Sequence, residues 1–229
     1  MDVRALPESE RLIYNNLKKK HNVHFEPLNV GDHRIRILMV SDLEELLDGK
    51  DPFEDVSSFP FWSKLWEAAI VLSHVLASAP ERAGGRLLEL GSGMGAIGLA
   101  AAAAGFSATL SDYDDEILDF ARVSGAASGL ENVNYITFDL LKPENIGTFD
   151  VITAAEILFK EELIDPVLAV CKEFLSEDGT VYLAHDVRRK CLPIFLEKAE
   201  AHFHIGTKKQ TIRKNGIVSD ILVNRLKKK

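Results

Sequence analysis

The spacing of apolar positions changes several times along this chain, and each change marks an element. Between Pro7 and Lys20, Leu12, Ile13 and Leu17 fall on one face against a charged remainder, which predicts a short amphipathic helix. From His24 to Val40 the period shortens to two. Ile35, Ile37 and Met39 alternate with arginines and Leu38 after a Val30-Gly31-Asp32 turn, the pattern of a hairpin. Ser41 and Glu44 form a capping box ahead of Leu43 to Leu47, one or two helical turns that stop at Gly49. Lys50 to Pro60 is polar and unpatterned, the segment best suited to a linker or substrate-side loop. Helical spacing returns within Phe59 to Leu76, where Trp66, Ala69, Ile70, Ser73 and Leu76 share a face.

From there, apolar runs alternate with helical patterns. Leu87 to Leu90 reads as a strand, breaks at Gly91, Gly93 and Gly95, and becomes an alanine-rich helix. Further strands are predicted over Ser107 to Ser111, Asn132 to Phe138, Phe149 to Ala155 and Thr180 to Ala184, with helices over Asp114 to Ala127, Glu161 to Leu175 and Lys190 to His202. Asp178 and Gly179 close the second of these helices. Ile205 to Arg213 and Ile217 to Leu226 flank Asn215-Gly216, the strongest short signal for a hairpin, so the sheet ends with an antiparallel strand. The parallel strands end in Asp112, Asp139, Glu156 and the pair His185-Asp186, and in an open parallel sheet such residues converge on one cleft.

Composition narrows the class without naming a chemistry. At 229 residues, 46% hydrophobic and 27% charged, the chain has the make-up of a globular protein with one sizeable core. A formal charge of -8 argues against broad phosphate-backbone binding, and the basic runs Lys18 to Lys20 and Lys227 to Lys229 read as solvated ends. Cys171 and Cys191, both inside helical patterns, suggest neither a disulfide framework nor a metal site, which fits a reducing, cytoplasmic setting. No uncharged apolar run reaches membrane-spanning length, the N-terminus lacks the features of a signal peptide, and no internal repeat appears.

The glycine turn carries the chemistry. Its glycines permit backbone dihedrals closed to other residues and leave bare backbone for a ligand at Gly93 and Gly95, and the helix behind it presents unpaired N–H groups. Gly93, Gly95 and Gly98 satisfy the dinucleotide spacing G-x-G-x-x-G. Gly91, Gly93 and Gly95 also satisfy E-x-G-x-G-x-G with Glu89 in front, and an acid beside a dinucleotide pyrophosphate would repel it. The second pattern resembles motif I of class I methyltransferases that use S-adenosylmethionine (SAM). The resemblance covers roughly Phe59 to Arg225 and implies an α/β fold, a Rossmann-like doubly wound seven-stranded sheet whose last strand is antiparallel. The N-terminal helix and hairpin, residues 1–58, would be an extension of a methyltransferase domain over 59–229.

The resemblance also distributes roles. Glu89 would help seat the methionine end of the cofactor, Asp112 would accept from the ribose hydroxyls, Tyr113 would stack on adenine, Asp139 would meet the adenine amino group, and Ala155 would border the cofactor. Trp62, at the mouth of the helix before the glycine turn, is an aromatic wall near the cofactor or a packing residue. Ala154 to Phe159, AAEILF, resembles the D/E-x-x-Y/F signature of the seven-stranded protein-lysine methyltransferases of methyltransferase family 16, with Glu156 and Phe159 in its two positions. The Phe61-Trp62 pair and Phe195 are further likenesses. Glu156 would hold an incoming ammonium and Phe159 would flank it by cation–π attraction; otherwise Glu156 caps the helix that follows. The implied function is methyl transfer from SAM to a protein lysine by a monomer without nucleic acid, membrane or metal partners. A small-molecule N- or O-methyltransferase and a SAM- or dinucleotide-binding regulatory module are the alternatives.

Overall fold

The computed structural model describes residues 2–41, 60–78, 84–214 and 216–229. The capping box at Ser41 and Glu44, the turns over Leu43 to Leu47 and the loop to Phe59 lie outside the described residues, as does Asn215 of the Asn-Gly turn.

Helix α1 (Glu8–Lys20) buries Leu17 and partly buries Ile13, while Leu12 is exposed, so the buried stripe is narrower than the pattern suggested. Strands β1 (Val23–Val30) and β2 (His33–Val40) pair in antiparallel register around Gly31, whose φ of 55° is ready for a tight turn. This hairpin is buried on both faces: Ile35 and Ile37 join the main core, and Leu38 packs beside Phe120 and Val123. The N–H groups of Arg36 and Leu38 donate to Ser128 Oγ and Ser124 Oγ at 2.9 and 2.8 Å, which satisfies the outer edge of β2.

The remaining elements alternate as the sequence predicts. They are α2 (Glu67–Ala77), β3 (Arg86–Leu90), α3 (Ala96–Ala103), β4 (Ser107–Asp112), α4 (Asp115–Ala127), β5 (Val133–Thr137), β6 (Phe149–Ala155), α5 (Ile164–Phe174), β7 (Leu175–Asp186), α6 (Cys191–Ala199), β8 (Phe203–Lys214) and β9 (Ile217–Lys228). Seven strands form one sheet in the order β5-β4-β3-β6-β7-β9-β8. Strands β3 to β7 pair in parallel, and β9 is antiparallel to both of its neighbours. The last strand in sequence is therefore inserted between β7 and β8, and β8 forms the edge.

Alternation along the strands sorts the two faces. Leu87, Val151 and Ala184 pack toward α2, α3 and the hairpin, while Leu88, Ile152 and Leu183 pack toward α5 and α6. The order reverses direction between β3 and β6, and there the carboxyl ends of the strands open a crevice.

Three boundaries differ from the sequence expectation. Helix α5 stops at Phe174 and β7 begins at Leu175, which pairs with Phe149 across a register shift, so Asp178 and Gly179 lie within the strand and do not cap a helix. Helix α6 is shorter than Lys190 to His202. The basic C-terminal run is largely strand and not a solvated tail: Lys227 and Lys228 pair with His204 and Phe203, and Lys228 Nζ meets Glu177 at 3.0 Å.

Candidate active site

The glycine turn between β3 and α3 is fixed by groups beneath it. Gly91, Gly93 and Gly95 all adopt positive φ, 59°, 51° and 77°. A Cβ at these positions meets protein first: Ile157 at Gly91, the Trp62 carbonyl oxygen at 3.2 Å at Gly93, and Leu110 and Ala121 at 2.6 and 2.8 Å at Gly95. The expectation that Gly93 and Gly95 leave bare backbone for a ligand is thus revised. Gly91 and Gly93 line the cleft, but Gly95 caps α3 with its Cα turned into the core and does not line it.

Two acids brace the turn from below. Asp112, at the end of β4, accepts from Gly93 N–H at 2.8 Å and from Tyr113 N–H at 2.9 Å. Burial pushes its pKa up to about 6, against the lowering effect of those two hydrogen bonds. Glu89 is 2% exposed and accepts from Gly98 N–H at 2.7 Å inside the first turn of α3, so its carboxylate caps that helix as well as lining the cleft. Burial pushes its pKa up to about 8.

That pKa has a consequence for stability. A carboxyl whose folded pKa lies above its unfolded value binds protons more tightly in the folded state, so stability falls as pH rises from about 4.5 to about 8. Glu89→Gln keeps an oxygen for Gly98 and removes the titration. Thermal melts of the parent between pH 5 and 8 should therefore lose more stability with rising pH than those of Glu89→Gln, by about 1 to a few kcal/mol. Parallel curves would show that Glu89 does not titrate in this range.

The cleft has a volume of about 690 Å³, within the ordinary range for a small-molecule site. Trp62, Glu89, Gly91, Gly93, Asp112, Tyr113, Asp139, Ala155, Glu156 and Phe159 all line it, so the fold gathers ten of the eleven residues singled out from the sequence. Tyr113 is 69% exposed at one end. Asp139 sits beside it and spends one oxygen on Leu141 N–H at 2.9 Å. Trp62 borders the cleft, and its ring packs on Phe120 with centroids 5.1 Å apart. Sequence patterns did not single out Ser92, whose Oγ is buried in the turn with no hydrogen-bond partner among the described residues. A buried hydroxyl left without a partner in a cleft wall is a hydrogen-bonding group open to a ligand.

Glu156 follows β6, the strand beside β3, and lines the same cleft. It has a φ of 55°, the one non-glycine residue with positive φ among those described, and is 8% exposed. Its side chain does not cap the helix that follows. One oxygen accepts from Asp186 N–H at 2.7 Å and the other from Arg189 Nε, so the carboxylate is ion-paired. His185, fully buried at the end of β7, accepts from Leu158 N–H at 3.2 Å through Nε2. Burial, aided by the charge of Arg189, pushes its pKa down to about 3 and keeps it neutral. The end of β7 and the turn after it thus hold the Glu156 loop. No sequence motif marks these partners, which lie about 30 residues away.

Phe159 is 38% exposed at the mouth, where its ring stacks on Phe61 with centroids 5.5 Å apart. Phe61 in turn stacks on Trp66 at 5.9 Å, and Trp66 Nε1 donates to the Phe61 carbonyl at 2.8 Å.

A glycine turn braced by acids at the switch point of this strand order is the arrangement of a Rossmann-like cofactor fold. Solved structures share the fold. A SAM-dependent methyltransferase from Agrobacterium tumefaciens superposes with a TM-score of 0.66 over 90% of this chain and 70% of its own, at 20% identity. The N-methyltransferase NodS from Bradyrhizobium japonicum, in complex with S-adenosyl-L-homocysteine, gives 0.56 over 81% and 96% at 17% identity.

More specifically, a family model described as lysine methyltransferase matches residues 54–202, and the chain belongs to that family. SAM is the cofactor that goes with this membership. EEF1A lysine methyltransferase 3 of Mus musculus is 25% identical over 149 residues, 62% of this chain and 64% of that protein. Electron transfer flavoprotein beta subunit lysine methyltransferase of Mus musculus is 29% identical over 140 residues, 60% of this chain and 53% of that protein. Protein N-lysine methyltransferase METTL21A of Xenopus tropicalis is 29% identical over 148 residues, 62% and 68%. The match thus spans between about half and two thirds of these relatives.

Proposed function

We propose that this chain transfers a methyl group from SAM to the side-chain amine of a lysine in a protein substrate. The observation that carries the reading is the strained, buried Glu156, which lines one cleft with Phe159 and the glycine turn. A non-glycine residue at positive φ costs on the order of 1–3 kcal/mol and tends to persist where function needs the direction that it gives a side chain. The named relatives are lysine methyltransferases, which supports the protein substrate.

Bound SAM supplies a methyl group already activated on a sulfonium. The protein's part is to hold and to orient. Ser92 Oγ faces the cofactor, Asp112 offers its remaining lone pairs to the ribose, Tyr113 and Asp139 stand at the adenine end, and Glu89 and Ala155 border the methionine side. A lysine ammonium must lose a proton before it attacks, which costs about 4 to 5 kcal/mol at neutral pH from a reference pKa of about 10.4. Glu156 accepts a hydrogen bond from the amine, and Phe159 covers its aliphatic stem and lowers the local polarity. Catalysis is then chiefly alignment and exclusion of water.

A monomer in a reducing compartment completes the proposal. Both cysteines are buried and free, and among the described residues no helix is long and apolar enough to cross a membrane. The test is to incubate the protein and methyl-labelled SAM with a cell lysate and to hydrolyse the labelled proteins. Label in methylated lysine is the expected result. Label confined to small molecules would replace the protein reading with the small-molecule one, and SAM binding without any transfer would favour a regulatory module.

A further inference from the structure

The Glu156-x-x-Phe159 segment is the end point of a closed circuit of contacts that no sequence motif shows. Glu156 accepts from Arg189 Nε. The Arg189 guanidinium lies over the Trp66 ring, 6.0 Å from its centroid. Trp66 stacks on Phe61, and Phe61 stacks on Phe159. The circuit returns to Glu156 through three residues of backbone. It joins three parts of the chain, the segment before α2, the loop after β6 and the turn after β7, and Glu156, Trp66, Phe61 and Phe159 all line the cleft.

Arg189 does not line the cleft, so it stands behind Glu156 and does not reach toward a substrate. Its side chain is 25% exposed and that of Glu156 is 7% exposed. The carboxylate and the guanidinium form an ion pair, and the pair as a whole carries no net charge. Such a pair draws in an ammonium less strongly than a bare carboxylate would, while it still offers a lone pair to the N–H of a neutral amine, the form that attacks. The same guanidinium, set against Trp66 by cation–π attraction, fixes the aromatic wall relative to the carboxylate.

The geometry points to Arg189 as a positioning residue for methyl transfer: through Glu156 on one side and the Trp66-Phe61-Phe159 stack on the other, it sets the distance between the carboxylate and the ring that receive the acceptor amine. This deepens the proposed function and rests on it.

Two replacements separate charge from bulk. Arg189→Met keeps an unbranched stem and removes the charge, and Arg189→Lys keeps the charge. The expected result is that Arg189→Met binds SAM in calorimetry as the parent does but transfers label to lysine in the lysate about 30-fold more slowly, with Arg189→Lys recovering most of the rate. A second reading needs no substrate. The chain has two tryptophans, so Trp62→Phe leaves Trp66 as the sole reporter. On that background Arg189→Met should shift the Trp66 emission to the red and raise its quenching by acrylamide, and Arg189→Lys should do neither. If Arg189→Met transfers as fast as the parent with an unchanged Trp66 signal, or if both variants lose rate only in proportion to a lower melting temperature, Arg189 is not a positioning residue. If the parent puts no label on lysine, the functional proposal falls instead, and the Trp66 reading still decides whether Arg189 holds the stack.

Discussion

Glu156→Gln is expected to reduce methyl transfer about 100-fold while SAM affinity stays near that of the parent, the pattern of losing one group that aligns the reacting partners. Glu156 follows the end of β6 and lines the same cleft as Gly91, Gly93 and Asp112. The amide keeps an oxygen for Asp186 N–H, which now binds Oε1 at 2.7 Å, so the strained backbone retains its anchor. The second group is lost: an amide NH2 set against Arg189 offers no acceptor and leaves a partly buried guanidinium unpaired. A fall in stability of about 1–3 kcal/mol should accompany the change, typical of an unpaired buried polar group. Calorimetry with SAM and single-turnover transfer under saturating cofactor read the two effects apart. Parent-like transfer from a variant that melts lower would make Glu156 a structural residue only.

The second large effect is expected at Gly95, and it should appear without any cofactor. Gly95 holds a φ of 77°, and an added Cβ would lie 2.6 Å from Leu110 Cδ2 and 2.8 Å from Ala121 Cβ. The left-handed conformation costs an L-residue about 1–2 kcal/mol and the overpacked core about 1–3 kcal/mol more, so Gly95→Ala should lose about 2–5 kcal/mol. For a chain of this size that lowers the melting temperature by roughly 4–20 °C. Gly129 supplies the control, with a φ of 70° and nothing within 4 Å of an added Cβ. Gly129→Ala should therefore show only the conformational part, about 1–2 kcal/mol. If Gly95→Ala melts like the parent and loses only SAM binding, the turn glycines serve the ligand, as the motif alone suggests. If it melts well below Gly129→Ala, Gly95 serves the packing of α3 on β4.

The contrast at Gly95 shows where the sequence stops. The motif located the turn, the strand before it and the helix after it, because local spacing and the permissiveness of glycine suffice for that. It could not tell Gly93, which lines the cleft, from Gly95, which faces Leu110 and Ala121, since that depends on what packs beneath. Asp112 was legible for the same local reason: an acid where an apolar strand ends. Its hydrogen bond to Gly93 N–H joins residues 19 apart and needed the pairing of β3 with β4.

Sequence alone thus determined the alternation of strands and helices, the final hairpin, and the gathering of Glu89, Asp112, Asp139 and Glu156 at one end of the sheet, all consequences of hydrophobic period and of the direction of parallel strands. Only the tertiary structure decided that β9 inserts between β7 and β8, that Ser124 and Ser128 satisfy the outer edge of β2, and that Glu156 answers to Asp186 and Arg189 rather than to the helix after it. The physical reason is the same in each case. Period and propensity report how a residue is placed on its own element, whereas the partner of a buried charge or a strand edge is chosen by desolvation, which acts on whichever groups the fold brings together, however far apart they stand in the chain.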